Sequence, residues 1–202
     1  MADHIIRSTA ELAALYGTPG EASLIKVADH VTPLYAKWIM ASRLCVVSTV
    51  GIGGTDGSPR GDDGPVVQIQ DAKTLLLPDW RGNNRTDTLR NIVEDGRISL
   101  MFLVPGSNNV IRVNGKAVVS VDPALIAGFD DKGRLPRSVV VITVAEVYSQ
   151  CARALMRAGT WDGDPAPKDL PTVGQLLEEQ KASFDGSSYD ADWADRAAKT
   201  MW

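Results

Sequence analysis

The stretch LLLPDWRGNNRTDTLRNI holds the densest set of polar side chains in the sequence. An apolar run ends at Pro78, a helix begins near Thr86, and the segment between them carries Arg81, Asn84 and Arg85, with a further asparagine at position 83. A guanidinium offers a fixed fork of donors to phosphate oxygens, and amide groups and a helix N-terminus add more donors. The segment therefore predicts a local anion-binding loop.

Two interpretations of this loop remain open. The first is that it binds an anion. The second is that Arg81 and Arg85 are solvated charges paired with Asp79 and Asp87, which is the ordinary state of surface charge. Basic residues elsewhere in the chain favour a ligand over solvent. They are Arg60 in the tight turn SPRGD at the start of a strand, Arg112 and Lys116 in the strand VIRVNGKAVV, and Arg153 at the start of a helix after the last strand.

Alternation along a strand would place Arg112, Asn114 and Lys116 on one face of the sheet. That face either meets a ligand or is the exposed side of the barrel. Trp80 lies beside the basic loop and Trp161 beside the C-terminal loop WDGDPAPKDLP. Each indole could contact a flat ring system, although core packing is the commoner role of tryptophan.

Three other kinds of site find little support. The glycines at positions 51, 53 and 57 have the wrong spacing for a dinucleotide-binding G-x-G-x-x-G, and another strand follows them where that motif needs a helix. His4 and His30 belong to no zinc-ligand cluster, and both lie far from any nucleophile motif. The sequence thus predicts no metal site and identifies no catalytic residue.

Six short runs rich in β-branched residues follow Leu44, with turn residues between them. The runs are LCVVSTV, VVQIQ, TLLLP, ISLMFLV, VIRVNGKAVVSV and SVVVITVAEVYSQC. Apolar residues at helical spacing predict helices over Thr9 to Tyr16, Thr32 to Ser42, Thr86 to Glu94 and Thr172 to Phe184. The pattern indicates a mainly β chain with helices, in which a six-stranded antiparallel sheet closes into a barrel.

The chain has 202 residues, of which 44% are apolar, and this suits a single domain. We expect N-terminal helices over 1–43, the barrel over 44–151 and a helical segment over 152–202. A net charge of -4 argues against a nucleic-acid partner. The sequence has no recognisable export signal and no apolar run of roughly 18 residues. Cys45 and Cys151 lie in apolar segments, so we expect buried free thiols and a cytoplasmic protein with no membrane partner.

The order strand, WRGNNRTDTLRNI, strand, RVNGKA resembles the FMN-binding split barrel of the pyridoxamine 5′-phosphate oxidase family. The likeness is to the family pattern of an Arg/Lys-rich phosphate loop, a helix with Leu and Asn near its end, and an R-V-x-G-x-A/V strand. It extends from about Leu44 to Cys151. The flanking segments QCARALMRAGTWD and TVGQLLEEQ are similar to a bacterial FMN-dependent subgroup of this class, whose substrates are generally unassigned.

The resemblance implies a role for each candidate residue. Arg81, Asn84 and Arg85 would bind the FMN phosphate, and Arg60 together with the strand through Asp79 into Trp80 would line the ribityl chain and the isoalloxazine ring. Family members hold FMN between two subunits, which implies a homodimer. The residues that could then reach the flavin of the other chain are Arg112, Lys116, Arg153 and Trp161.

The expected function is that of an FMN-dependent oxidoreductase acting on an unidentified small substrate. The acidic, alanine-rich ending DWADRAAKTMW differs from the basic segment with which the true oxidase helps to hold pyridoxal phosphate. This difference argues against that particular substrate. Two alternatives remain, a non-catalytic flavin carrier or sensor and a barrel that binds heme or another phosphorylated ligand.

Overall fold

The computed structural model describes residues 4–200, with side chains described through residue 198. Within this range the chain folds around a seven-stranded antiparallel sheet. Its strands are β1 (Leu44–Gly51), β2 (Gly54–Gly61), β3 (Gln68–Asp71), β4 (Thr74–Asp79), β5 (Arg97–Leu103), β6 (Val110–Ser120) and β7 (Ser138–Gln150). Their order across the sheet is β2-β1-β5-β6-β7-β4-β3, so β2 and β3 form its two edges.

Side-chain alternation explains how this sheet encloses a core. Cys45 and Val47 on β1, Leu100 on β5 and Ile142 on β7 are fully buried, whereas residues between them along the strands are more exposed. Such a period of two directs one face of each strand towards a shared interior. Phe102 is the largest of the fully buried side chains in the described chain. Burial also raises the pKa of the Cys45 thiol to about 12.

The sequence-based expectation of six strands closed into a barrel is wrong on both counts. The additional strand is β2, GTDGSPRG, whose glycines, Asp56 and Pro59 are typical of a loop. It forms a hairpin with β1 and pairs with it over its full length, from Leu44 opposite Gly61 to Gly51 opposite Gly54. Proline is tolerated in an edge strand. Because β2 and β3 are both edges, the sheet remains open.

The helices described in the structure lie before, between and after the strands. They are α1 (Thr9–Tyr16), α2 (Glu21–Ile25), α3 (Pro33–Ala41), α4 (Asp87–Glu94), α5 (Pro123–Ala127), α6 (Arg153–Ala158), α7 (Val173–Gln180), α8 (Gly186–Ala191) and α9 (Trp193–Thr200). The predictions of α1, α3, α4 and α7 are confirmed in kind, although α7 ends at Gln180 rather than at Phe184. No helix among the described residues is long and apolar enough to cross a membrane.

Two expectations about single residues need correction. Arg60 is not in a turn at the start of a strand, because it lies near the end of β2, opposite Cys45. Cys151 is exposed rather than buried, since β7 ends one residue before it. Both cysteines are free thiols, and Cys45 is buried as expected.

Candidate functional site

A cleft of about 500 Å³ lies between the C-terminal end of β2 and the C-terminal end of β4. Arg60 and Asp62 contribute to one wall, and Leu77, Trp80 and Arg81 contribute to the other. Strand β3 has only four residues and pairs with the first part of β4, up to Leu76. The cleft is therefore formed where the short edge strand leaves the end of β4 uncovered.

Two opposite charges face each other inside this region. Nη1 of Arg60 lies 3.7 Å from Oδ1 of Asp79, with the side chains 29% and 18% exposed. Burial raises the pKa of the Asp79 carboxyl above its ordinary value, and the nearby guanidinium groups of Arg60 and Arg137 offset part of that rise. The arrangement places a half-buried arginine beside a carboxyl group that loses its proton less readily than an exposed aspartate does.

The Trp80 ring is held by a hydrogen bond from the opposite wall. Its Nε1 donates to Oδ2 of Asp62 at 3.0 Å, and the indole is half-buried. This bond joins the residue after β4 to the residue after β2. Trp80 is thus fixed as a wall of the cleft instead of being buried in the core.

The basic loop, residues 81–86, follows Trp80 directly in the chain. Asn84 has a φ of 61°, in the left-handed region that asparagine adopts more readily than most residues. Nη1 of Arg137 donates to Oδ1 of Asn84 at 2.6 Å. The backbone N–H of Arg137 donates to the carbonyl oxygen of Asp79 at 3.1 Å. Within the loop, the N–H of Arg85 donates to Oδ1 of Asn83 at 2.9 Å. One arginine immediately before β7 therefore connects the end of β4 to the middle of the loop.

Arg81 and Arg85 lie on different sides of this loop. Arg81 borders the Trp80 cleft, whereas Arg85 borders a second hollow beside α4 together with Arg90. The Arg85 guanidinium pairs with Asp87, which raises the pKa of Arg85 and lowers that of Asp87. The pairing of Arg85 with Asp87 that the second interpretation expects is therefore present. The other expected pairing is wrong, because Asp79 faces Arg60.

Helix α4 is anchored to the β1–β2 hairpin on its inner side. Nδ2 of the buried Asn91 donates to Oγ1 of Thr49 at 3.2 Å, and the N–H of Ile52 donates to Oε2 of Glu94 at 3.0 Å. A Cβ at Gly51 would lie 2.3 Å from Oδ1 of Asn91, so glycine permits the close approach of the helix. At the other end, the side chain of the N-cap Thr86 makes no capping hydrogen bond within the described chain. The first turn of α4 thus has no cap from Thr86 and lies beside the basic loop.

The remaining candidate residues lie away from the cleft of this chain. Arg112 and Lys116 point to the outer side of β6, and the guanidinium of Arg112 lies 5.4 Å from the ring centre of Tyr148. Arg153 is exposed at the start of α6. Trp161 is half-buried, and its Nε1 donates to the carbonyl oxygen of Ser107 at 2.8 Å. Their suggested contact with the flavin of a second subunit stays a prediction.

Three residues of this region were not identified from the sequence, namely Asp62, Arg90 and Arg137. Arg90 could have been found, because it lies one turn after Thr86 in the predicted helix. Asp62 and Arg137 depend on which strands become neighbours. Arg137 meets the loop because Ser138 of β7 pairs with Asp79 of β4.

The family model of pyridoxamine 5′-phosphate oxidase matches residues 31–151, which is more than half of the chain. The chain belongs to this family. The matched segment includes the sheet, the Trp80 cleft, the basic loop and α4. Two of the candidate flavin-contacting residues, Arg153 and Trp161, follow the last residue of the matched segment and so lie outside it.

Solved structures also resemble this member of the pyridoxamine 5′-phosphate oxidase family. A variant of HupZ from Group A Streptococcus superposes with a TM-score of 0.50 and 20% identity, over 59% of this chain and 99% of the other, which shows a shared fold. General Stress Protein 26 of Bacillus anthracis superposes with a TM-score of 0.44 and 16% identity, over 56% of this chain and 88% of the other. The FAD binding protein of Mycobacterium smegmatis superposes with a TM-score of 0.43 and 13% identity, over 61% of this chain and 97% of the other. Comparison with curated proteins gave no match.

Proposed function

We propose that the protein is an FMN-dependent oxidoreductase acting on a small-molecule substrate. The observation that carries this proposal is the position of the basic loop between a tryptophan-walled cleft and the N-terminus of α4. A ligand that extends along this loop can present a phosphate to the arginines and a flat ring to the cleft. FMN has both of these parts, and family membership favours it.

The donors on the loop suit a terminal phosphate. Arg81 and Arg85 supply guanidinium groups, the Asn84 side chain supplies an amide, and α4 supplies N–H groups at the positive end of its dipole. The present partner of Arg85 is the exposed carboxylate of Asp87. A phosphate dianion can compete with such an exposed partner, because surface ion pairs contribute little.

The cleft suits the rest of the molecule. Its volume of about 500 Å³ lies within the usual range for small-molecule sites. Trp80 offers an aromatic surface whose orientation is fixed by Asp62. Arg60 offers donors on the facing wall, held near Asp79. These residues would bind and orient the cofactor.

Bound FMN would supply the hydride chemistry, so the chain itself needs no strong acid or base. The role of the cleft residues is then to orient the ring, exclude water and set the local charge. Arg60 provides a positive charge at the cleft wall. Asp79 lies beside it, and burial raises the pKa of this carboxyl above its ordinary value.

We propose further that the functional unit is a homodimer with FMN at its interface. The open edges β2 and β3 leave backbone donors and acceptors that a second copy can cover. In such a dimer the outward-facing Arg112 and Lys116, or Arg153 and Trp161, would approach the flavin of the other subunit. Sedimentation analysis with and without FMN tests the dimer, and a monomer in both conditions would contradict it.

The first experiment measures flavin retention. Purified protein should be yellow or should become yellow on adding FMN, and Arg81→Ala combined with Arg85→Ala should weaken FMN binding by about 100-fold because two charge-assisted contacts are lost. The matched control is Arg97→Ala combined with Arg134→Ala, which removes two arginines paired with nearby aspartates, as Arg85 is. This control should bind FMN like the wild type.

The outcomes separate the candidate functions. A colourless wild type that does not bind added FMN would remove the proposal. An intense near-ultraviolet band in place of a flavin spectrum would indicate a heme-binding barrel. If FMN binds, reduction by NADPH or NADH with turnover of an acceptor supports an enzyme, whereas binding without reduction indicates a carrier.

A further inference from the structure

Arg137 is fixed to the end of β4 by the backbone. It lies between the buried residues Pro136 and Ser138, immediately before β7, and Ser138 pairs with Asp79. Its own N–H donates to the Asp79 carbonyl at 3.1 Å. The Arg137 side chain is exposed. The sheet therefore holds the base of this arginine beside the point where the basic loop begins.

The guanidinium then sets the orientation of one loop side chain. Nη1 donates to Oδ1 of Asn84 at 2.6 Å, across 53 residues of sequence. Because the Asn84 oxygen accepts this bond, its NH₂ group is left to donate to another acceptor. The left-handed backbone of Asn84, with a φ of 61°, presents the side chain at the middle of the loop.

Arg137 also brings positive charge of its own. A guanidinium carries five N–H donors, and the bond to Asn84 uses one of them. The Asp79 carboxyl interacts with this charge and is shared with Arg60. Arg137 thus adds a third arginine to the loop that carries Arg81 and Arg85.

We infer that Arg137 is a positioning residue that makes this site select phosphorylated ligands over unphosphorylated ones. It turns the Asn84 amide towards the phosphate and raises the positive charge around the loop. This inference rests on the proposed FMN function and adds a residue and a specificity to it. A general folding defect would differ, because it would weaken phosphorylated and unphosphorylated flavins alike.

The test compares the dissociation constants of FMN and riboflavin, measured by flavin fluorescence. For Arg137→Ala we expect FMN binding to weaken by about 10-fold and riboflavin binding by less than about 2-fold. Arg137→Lys keeps a charge and a donor, so it should recover part of the preference. Arg134→Ala, which removes an arginine bonded to Asp131 in the same connection, is the matched control and should keep it.

A double-mutant cycle tests the bond to the loop. Asn84→Gly removes the side chain and still accepts a positive φ, so backbone strain does not confuse the result. If the two residues act together, Arg137→Ala should have little further effect on FMN binding in the Asn84→Gly background. Fully additive effects would overturn the positioning role.

The remaining outcomes distinguish this inference from the proposed function. A wild type that binds FMN tightly and riboflavin weakly, with an Arg137→Ala variant that keeps the same ratio, overturns the inference alone. Equal weakening of both flavins also overturns it. A wild type that binds neither flavin overturns the proposed function and the inference with it. Should Arg137→Ala fail to fold, Arg137→Gln gives the same comparison with a polar side chain retained.

Discussion

Asn91 ties α4 to β1, so its loss should destabilise the protein and loosen the basic loop. Its hydrogen bond to Thr49 is buried, with the two residues 8% and 4% exposed. Asn91→Ala leaves the Thr49 hydroxyl without this donor, and an unmet buried polar group costs about 1–3 kcal/mol. In a chain of this length each kcal/mol lowers Tm by roughly 2–4 °C.

Thermal and urea unfolding followed by circular dichroism measure this effect. Thr49→Val removes the hydroxyl with little change of shape and should cost a similar amount. The double variant should cost about 1 kcal/mol less than the sum of the two, because only one hydrogen bond is lost. Asn109→Ala, an exposed asparagine, is the control and should stay within about 0.5 kcal/mol of the wild type.

Binding of FMN gives a second measurement on the same variants. The loop ends where α4 begins, so a loosened helix should weaken FMN binding in Asn91→Ala and leave it unchanged in Asn109→Ala. The reasoning is refuted if Asn91→Ala is as mild as Asn109→Ala in both assays. It is also refuted if the costs of Asn91→Ala and Thr49→Val simply add.

Three further predictions concern charge and packing. Asp87→Asn should tighten FMN binding several-fold, since it frees Arg85 and removes a nearby negative charge; unchanged binding in a fluorescence titration would argue against this. The pKa of Asp79 is higher in the folded than in the unfolded chain. The ionised carboxylate therefore destabilises the folded state at pH values above the raised pKa, and this effect disappears as the pH falls towards 3.8. Asp79→Asn should therefore remove this part of the pH dependence of the urea unfolding free energy, and an unchanged dependence would contradict the raised pKa. Gly174→Ala would place a Cβ 2.2 Å from a carbonyl oxygen of α8, so hydrogen exchange over 173–191 should accelerate while FMN binding persists. Gly20→Ala, which has open space around the new Cβ, is the control. Equal exchange rates over 173–191 in the two variants would contradict the packing of α7 against α8.

The strands with apolar β-branched residues were predictable because each carries its own signal of burial. The exception, β2, has turn-forming residues and lies at an edge, where it pairs with β1 alone. Its extended form depends on the hairpin with β1, which local composition does not reveal. The open sheet could not be predicted for the same reason, since closure depends on which strands are neighbours.

The candidate site was predictable to the extent that it is local. Composition alone located the loop over 81–86 and the start of α4, because arginines, asparagines and a cap lie together in the sequence. The contacts of Arg137 with Asn84 and of Asp62 with Trp80 bridge 53 and 18 residues, and they follow from the pairing of β4 with β7 and from the path after β2. Helix α8 was missed because it is short and depends on the close contact of Gly186 with Gly174.

A crystal structure of the protein grown with FMN tests the central claim most directly. We expect the phosphate within hydrogen-bonding distance of Arg81, Asn84 or Arg85 and the ring in the cleft beside Trp80. Electron density for the nucleotide at another place, with these loop donors facing bulk solvent, would contradict the account.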